Sequence, residues 1–135
     1  MSEVDALGTV LAGSDAAVYA YGLIAARLPA PQAQLALSAM ATHRGERDRV
    51  RARILALGGQ PAAAAAAYVP PFPVTDAGSA RRLAALVEDR LAGQWAALAA
   101  ASDGPRRSAS ALTAQACAVR TVVWSGAAPV WNGAV

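Results

Sequence analysis

The side chains best able to do chemistry are His43 and Glu46, which are three residues apart. That spacing puts them one turn apart on the same face of a helix. They could hold a transition-metal ion (iron, manganese or zinc) if further ligands approached, and Glu88 and Asp15 are the candidates. As a structural alternative, His43 and Glu46 form a hydrogen-bonded polar pair in the interior. We favour this structural interpretation and expect no cofactor, because Asp15 lies beside the apolar stripe of its helix and Glu88 could face solvent.

Arginines form a second group, with five of them between positions 44 and 53. Arg44, Arg47 and Arg51 share one face of a helix, and such a face could bind the phosphates of a nucleic acid. However, Glu46 and Asp48 interrupt the arginines, and no aromatic residue lies among them to stack on a base. We therefore interpret the run as a solvated helix face and expect no nucleic-acid partner. The net charge of +3 does not change this expectation.

A single cysteine, Cys117, cannot form an internal disulfide, which agrees with a reducing compartment. A catalytic thiol would need a nearby base such as His43 and an electropositive setting, and the sequence indicates neither. We expect a small packing residue and no enzymatic activity. The acidic N-terminus lacks the features of a secretory signal, and the uncharged stretch at residues 16–26 is about half of a membrane span. We expect a cytoplasmic protein without a membrane partner.

Four helices must position these side chains, and we predict them at residues 3–28, 31–57, 76–101 and 105–125. Apolar or small residues alternate three and four positions apart from Val4 to Leu28, and Pro29 ends this first helix. Pro31 suits the first turn of the second helix, which Gly58 and the following glycine end. Because only two residues separate these helices, they should form an antiparallel hairpin.

The third and fourth helices form a second predicted hairpin. Asp76 supplies an N-cap for the third helix, and Asp103 with Pro105 begins the fourth, which Gly126 closes. The apolar stripe of the third helix ends in Trp95 and Leu98. The apolar residues of the fourth helix are expected to face the core, namely Leu112, Ala116, Val119 and Val123.

Residues 58–75 connect the two hairpins and contain an alanine run followed by three prolines. An extended, polyproline-like path of this length reaches roughly 55 Å, enough to return along a helix of roughly 40 Å. The segment therefore predicts a crossover, with Tyr68 and Phe72 laid on the bundle, although the prolines also fit a ligand of a proline-binding domain. The whole chain, residues 1–135, is interpreted as one all-α domain of four helices.

Three linked segments resemble an actinobacterial family of ferritin-like domains of unknown function. They are residues 16–22, the residues His43 to Asp48, and the crossover from Tyr68 to Val74. Arg120, Trp124 and the tail at residues 129–133 also resemble the end of that family. The resemblance implies a ferritin-like four-helix bundle with two hairpins joined by a long crossover, and it implies no particular activity.

The chain departs from the di-iron pattern of ferritin-like proteins, in which four helices supply carboxylate and Glu-x-x-His ligands. Members of the family often carry a Glu-His pair where this chain has Ser14 and Asp15, and the order of His43 and Glu46 reverses the motif. The fourth helix contains no Asp, Glu or His. We therefore expect a non-catalytic bundle that acts by association, as a homodimer through an alanine-rich helical face or an exposed aromatic patch. The alternative is a degenerate mononuclear metal or small-ligand site at His43, Glu46 and Glu88.

Overall fold

A computed structural model of the chain describes residues 1–126 and shows an all-α four-helix bundle. The described residues contain no β-strand. The four helices, in chain order, are α1 (Glu3–Ala25), α2 (Ala30–Ala56), α3 (Ala77–Ala100) and α4 (Gly104–Ser125). The tail at residues 129–133, which resembles the end of that family, lies outside the described residues.

The helix ends follow local capping chemistry. Ser2 and Asp5 form the capping box of α1, and Asp76 caps α3 through a hydrogen bond from the backbone of Ser79. Gly126 ends α4 in the left-handed conformation, with φ of 69°. The largest error in the predicted bounds is at the end of α1, which stops at residue 25 instead of 28. The residue before a proline avoids the α conformation, so Pro29 ends the helix early.

Contacts between the helices define their directions. Glu3, at the start of α1, pairs with Arg53 near the end of α2, so these helices are antiparallel. Arg81, near the start of α3, donates a hydrogen bond to Gln32 near the start of α2, so α2 and α3 are parallel. The segment between α2 and α3 must therefore return along the length of the bundle, as a crossover between two hairpins does.

The crossover lies along α1. Tyr68 contacts Tyr19, with 6.3 Å between their ring centroids. Residues 69–74 line a cleft together with the last turns of α1 and the two residues that follow it. Phe72 packs against the core and receives the guanidinium of Arg82 at 4.1 Å from its ring centroid. The prolines of the crossover thus lie against their own bundle.

The core combines a few large side chains with many alanines. Tyr21, Leu11, Ile24, Leu83 and Leu91 are among the largest fully buried residues. Alanines such as those at positions 17, 20, 36 and 80 are fully buried and allow the helices to approach closely. Among the described residues, α1 alone is long and apolar enough to cross a membrane, with a mean hydropathy of 1.3. The core helix of a bundle meets the same criterion.

The orientation of α4 differs from the prediction. Leu112, Val119 and Val123 are exposed by 65%, 62% and 54%, and Ala116 is exposed as well. The residues that face the core are instead Ser110, Cys117 and Trp124. The helix is turned this way because Trp124 buries a large ring and because the guanidinium of Arg120 must reach a buried carboxylate on α3.

One side of the bundle is open. Cα atoms lie within 8 Å of each other between α1 and α2, between α1 and α3, and between α3 and α4, whereas none of α2 lies that close to α4 in the described chain. Two clefts occupy the space between α2 and α4, one beside Leu35 and Val123 and a larger one beside Glu46 and Ser110.

Candidate functional site

The side chain of Glu88 is the centre of a polar cluster inside the bundle. It projects from α3 and is fully buried. Its Oε1 accepts a hydrogen bond from Nε of Arg120 at 3.0 Å, and its Oε2 accepts one from the hydroxyl of Tyr21 and lies 2.8 Å from Nε2 of His43. A carboxylate with three donors from three other helices holds α1, α2 and α4 to α3.

The imidazole of His43 links the two buried carboxylates. Nδ1 lies 3.2 Å from Oε2 of Glu46, and Nε2 faces Glu88. Burial by itself lowers the pKa of His43, but the hydrogen bonds and charges of Glu46 and Glu88 outweigh that effect and raise the pKa above its usual range. The protonated ring can donate from both nitrogens, which matches the two acceptors that it faces.

Tyr21 and Trp124 extend the cluster by one further hydrogen bond. Nε1 of Trp124 donates to the hydroxyl oxygen of Tyr21 at 3.0 Å, and that hydroxyl in turn donates to Glu88. The Tyr21 ring also stacks on His43, with 5.8 Å between centroids. Burial and the charge of Glu88 both raise the pKa of Tyr21, so it remains a neutral phenol that donates its proton.

The charges of the cluster compensate one another. Burial raises the pKa of Glu88, but hydrogen bonds and charges from His43, Tyr21 and Arg120 lower it below the usual range. Two carboxylates, from Glu46 and Glu88, thus meet two cations, from His43 and Arg120. Each buried charge of the cluster is therefore paired with an opposite charge from the same protein, as is usual for buried charges.

The thiol of Cys117 lies against this cluster. Nη2 of Arg120 is 3.6 Å from its sulfur, and the residue is fully buried. Burial and the charge of Glu88 raise the pKa of Cys117 to about 12, so the thiol form dominates at neutral pH.

A metal ion does not fit this arrangement. Both nitrogens of His43 and both oxygens of Glu88 are already engaged by protein groups. The guanidinium of Arg120 lies at the carboxylate where a second cation would bind, and like charges repel. Among residues 1–126, no three His, Cys, Asp or Glu side chains are arranged to hold a metal ion.

The structure brings together three of the four ligands suggested by the sequence. His43, Glu46 and Glu88 meet in the core, and Glu88 is buried and does not face solvent. Asp15 lies elsewhere, with its Oδ1 at 4.0 Å from Nε of Arg47. The hydroxyl of Ser14, next to it in sequence, is buried without a hydrogen-bond partner in the described part of the chain.

Sequence reasoning did not assign a role to Tyr21, Arg120 or Trp124 in the polar cluster. The available signal was the spacing of Cys117, Arg120 and Trp124, which recur three and four positions apart on α4. That spacing could have indicated the buried face of α4, and with it a cation among the core positions.

Comparisons with known proteins identify a family and a similar solved structure. A family model described as a domain of unknown function, DUF4439, matches residues 6–133. The crystal structure of a conserved hypothetical protein, rv2844, from Mycobacterium tuberculosis is similar, with a TM-score of 0.87 and 31% sequence identity. The alignment covers 95% of this chain and 93% of that one. No curated protein matches the chain.

Proposed function

The chain belongs to the DUF4439 family of domains of unknown function, and from that premise we propose that it is a non-catalytic bundle that acts by association as a homodimer. The observation that carries the proposal is the outward face of α4. Leu112, Ala116, Val119 and Val123 form a stripe there, called the α4 stripe below, and their spacing of four, three and four residues puts them on one line.

The α4 stripe is unusual for a surface facing only water. The residues from Ser108 to Val119 include no charged side chain, and three of the four stripe residues are large and more than half exposed. Contiguous exposed apolar patches of this kind mark interaction sites. Leu35 of α2 is also exposed and shares a cleft with Val123, which extends the apolar surface toward the open side.

A second copy of the chain is the occupant that the stripe fits best. When two α4 helices pack antiparallel about a two-fold axis, Leu112 faces Val123 of the other copy and Ala116 faces Val119. The pattern is therefore complementary to itself, and the small Ala116 near the axis allows close approach of the backbones. The three arginines of α4, at positions 106, 107 and 120, lie outside the uncharged stretch.

Burial of the stripe contributes favourable free energy to association. Completing the burial of each exposed leucine or valine contributes about 1 to 1.5 kcal/mol, and two copies bring six such side chains, for about 6 to 9 kcal/mol. That gain is of the same order as the entropic cost of bringing two proteins together. Because gain and cost nearly balance, the dimer should depend on burial of the stripe, and we expect one charged residue in the stripe to dissociate it.

The polar cluster supports the absence of catalysis in this proposal. Its acids and bases are paired with each other inside the protein, with Glu88 and His43 fully buried. A general acid or base has to reach a substrate, directly or through one water. We further infer that the bundle has a ferritin-like origin, which the two hairpins and the crossover support. In this chain His43 and Arg120 then supply the positive charge that metal ions supply in di-iron ferritin-like proteins.

Sedimentation velocity across micromolar concentrations tests the homodimer. We expect the wild type to sediment as a dimer and Val119→Glu as a monomer, because a charge at the interface would be buried without a partner. The matched control is Val69→Glu, which changes a valine that is 85% exposed in the crossover and should leave the dimer intact. A monomeric wild type, or a Val119→Glu variant that still dimerises, would overturn the proposal.

A further inference from the structure

A cleft between α1 and the crossover brings a carboxylate together with two aromatic rings. It is lined by residues of α1 and by the alanine run of the crossover, and its volume is about 370 Å³, within the range of small-molecule sites. We propose that this cleft binds the ammonium group of an aliphatic amine, with Asp15 as its counterion and the rings of Tyr19 and Tyr68 beside the cation. The cleft shares no residue with the α4 stripe, so the proposal goes beyond homodimerisation.

The carboxylate of Asp15 has no hydrogen-bond donor among residues 1–126. Its side chain is only 11% exposed, and Nε of Arg47 lies 4.0 Å from its Oδ1, which is too far for a hydrogen bond. Nε and Nη2 of Arg47 lie instead 3.1 Å from Oδ1 of Asp48. A mostly buried carboxylate is stabilised by donors and by opposite charge, so Asp15 is suited to an N–H group of a cationic ligand.

The charges beside the cleft leave one negative charge to be balanced. Among the described residues that line it, Asp15 is the one acid and Arg47 the one base. Since Arg47 is paired with Asp48, two carboxylates stand against one guanidinium, a net charge of −1 that one ammonium group would balance. Arg44 and Arg51 belong to α2 but do not line the cleft, and solvent screens the charges of such surface groups.

The two tyrosines place aromatic rings beside this carboxylate. Tyr19 is four residues after Asp15, so it lies one turn away on the same face of α1, and helical side chains lean toward the N-terminus, here toward Asp15. The ring centroids of Tyr19 and Tyr68 are 6.3 Å apart, and the ring planes are tilted by 57°. A cation is attracted to an aromatic face within about 6 Å of its centroid. The Tyr19 side chain is 45% exposed, so its ring is accessible to a ligand.

The remaining walls of the cleft are apolar and favour a ligand with an aliphatic body. They consist of Leu11, Val18 and alanines 12 and 16 of α1, with alanines 62–65 and 67 of the crossover. Methylene groups that lie against such walls are removed from water, which contributes favourable free energy to binding. The combination of one carboxylate, two aromatic rings and apolar walls therefore matches a primary amine on an alkyl chain.

The experiment uses n-hexylammonium as the probe and observes the ring signals of labelled tyrosine by NMR. The chain has three tyrosines, and Tyr19→Phe and Tyr68→Phe identify two of the signals by their loss. We expect the probe to shift the signals of Tyr19 and Tyr68 and to leave that of Tyr21 in place, because Tyr21 is fully buried in the polar cluster. 1-Hexanol has the same chain length without the charge, and its Kd should be at least about tenfold higher, since the ion pair with Asp15 is absent.

Asp15→Asn tests the counterion directly. The variant keeps the shape of the side chain and should fold like the wild type, because Asp15 accepts no hydrogen bond within the described chain. We expect the Kd of n-hexylammonium to rise at least about tenfold in this variant. The matched control is Asp89→Asn, which removes the same charge from an exposed position on α3 outside the cleft and should leave the Kd unchanged.

Three results would each overturn the proposal. They are the absence of a Tyr19 and Tyr68 shift at millimolar probe, equal Kd values for n-hexylammonium and 1-hexanol, and an unchanged Kd in Asp15→Asn. Sedimentation of the same samples separates these results from homodimerisation, because none of the substituted residues belongs to the α4 stripe.

Discussion

Replacing Glu88 with glutamine tests whether the polar cluster is held together by charge. Glu88→Gln keeps the shape of the side chain but removes the counterion of both His43 and Arg120. The amide also presents a donor where the carboxylate accepted bonds on both oxygens, so at least one of three donors loses its acceptor. Breaking a buried ion pair from one side costs about 3 to 5 kcal/mol. We expect about 3 kcal/mol, because Arg120 is 24% exposed and can turn toward water.

Two measurements check this prediction. Urea unfolding gives the loss of stability, and NMR titration gives the pKa of His43, whose signal is unambiguous because the chain has one histidine. The pKa of His43 should fall in Glu88→Gln, since burial lowers it and only Glu46 would then oppose that effect. Glu3→Gln is the matched control, because it removes the same charge from a surface ion pair and should leave the pKa of His43 unchanged.

Either of two results would refute the reasoning. If Glu88→Gln left the pKa of His43 where it is in the wild type, the imidazole would not depend on the Glu88 charge. If the variant unfolded at the wild-type urea concentration, the cluster would not contribute to stability. Should Glu88→Gln fail to fold, Tyr21→Phe removes one donor to Glu88 and should cost about 1 to 3 kcal/mol while keeping the charges.

The remaining predictions concern pH and the buried thiol. The raised pKa of His43 contributes stability that is present below about pH 6.5 and is lost as pH rises through the pKa of the folded state. The lowered pKa of Glu88 contributes stability that is present above about pH 4.5 and is lost as pH falls through the pKa of the folded state. Unfolding experiments across pH should therefore place the maximum contribution of this pair between these values, and a steady rise in its contribution above pH 6.5 would contradict the assignment. Cys117 should not react with a thiol reagent at pH 8 in the folded protein, because it is buried and its pKa is raised to about 12. It should react once urea unfolds the chain. Rapid labelling of the folded chain would contradict this prediction, because it would show that the thiol is accessible.

Much of α2 could be predicted from the sequence. Ala36, Ala39, His43, Glu46 and Val50 recur at helical spacing, and all five are buried. Because His43 and Glu46 are one turn apart in the same helix, their contact depends only on helix geometry. Their hydrogen bond therefore required no knowledge of the other helices.

The rotation of α4 could not be predicted in the same way. One face carries Leu112, Val119 and Val123, and the other carries Cys117 and Trp124, so the helix has apolar residues on two sides. Periodicity gives the spacing within each face but not which of the two faces turns inward. Contacts with other helices decide that question, and here the inward face is the one with the large indole ring and the neighbouring guanidinium of Arg120.

The four helices, their caps, the two hairpins and the crossover can be predicted from the amino-acid sequence. They depend on local spacing, on prolines and glycines, and on the reach of a short or long connection. The charges that meet in the core depend instead on how the helices pack. Glu88 and Arg120 are 32 residues apart and Tyr21 and Glu88 are 67 apart, and such contacts depend on how whole helices are rotated and placed. α4 is rotated so that Arg120 reaches the buried Glu88 carboxylate, and this rotation turns the other apolar face of α4 toward solvent. The α4 stripe is therefore exposed, and the side between α2 and α4 remains open in the described chain.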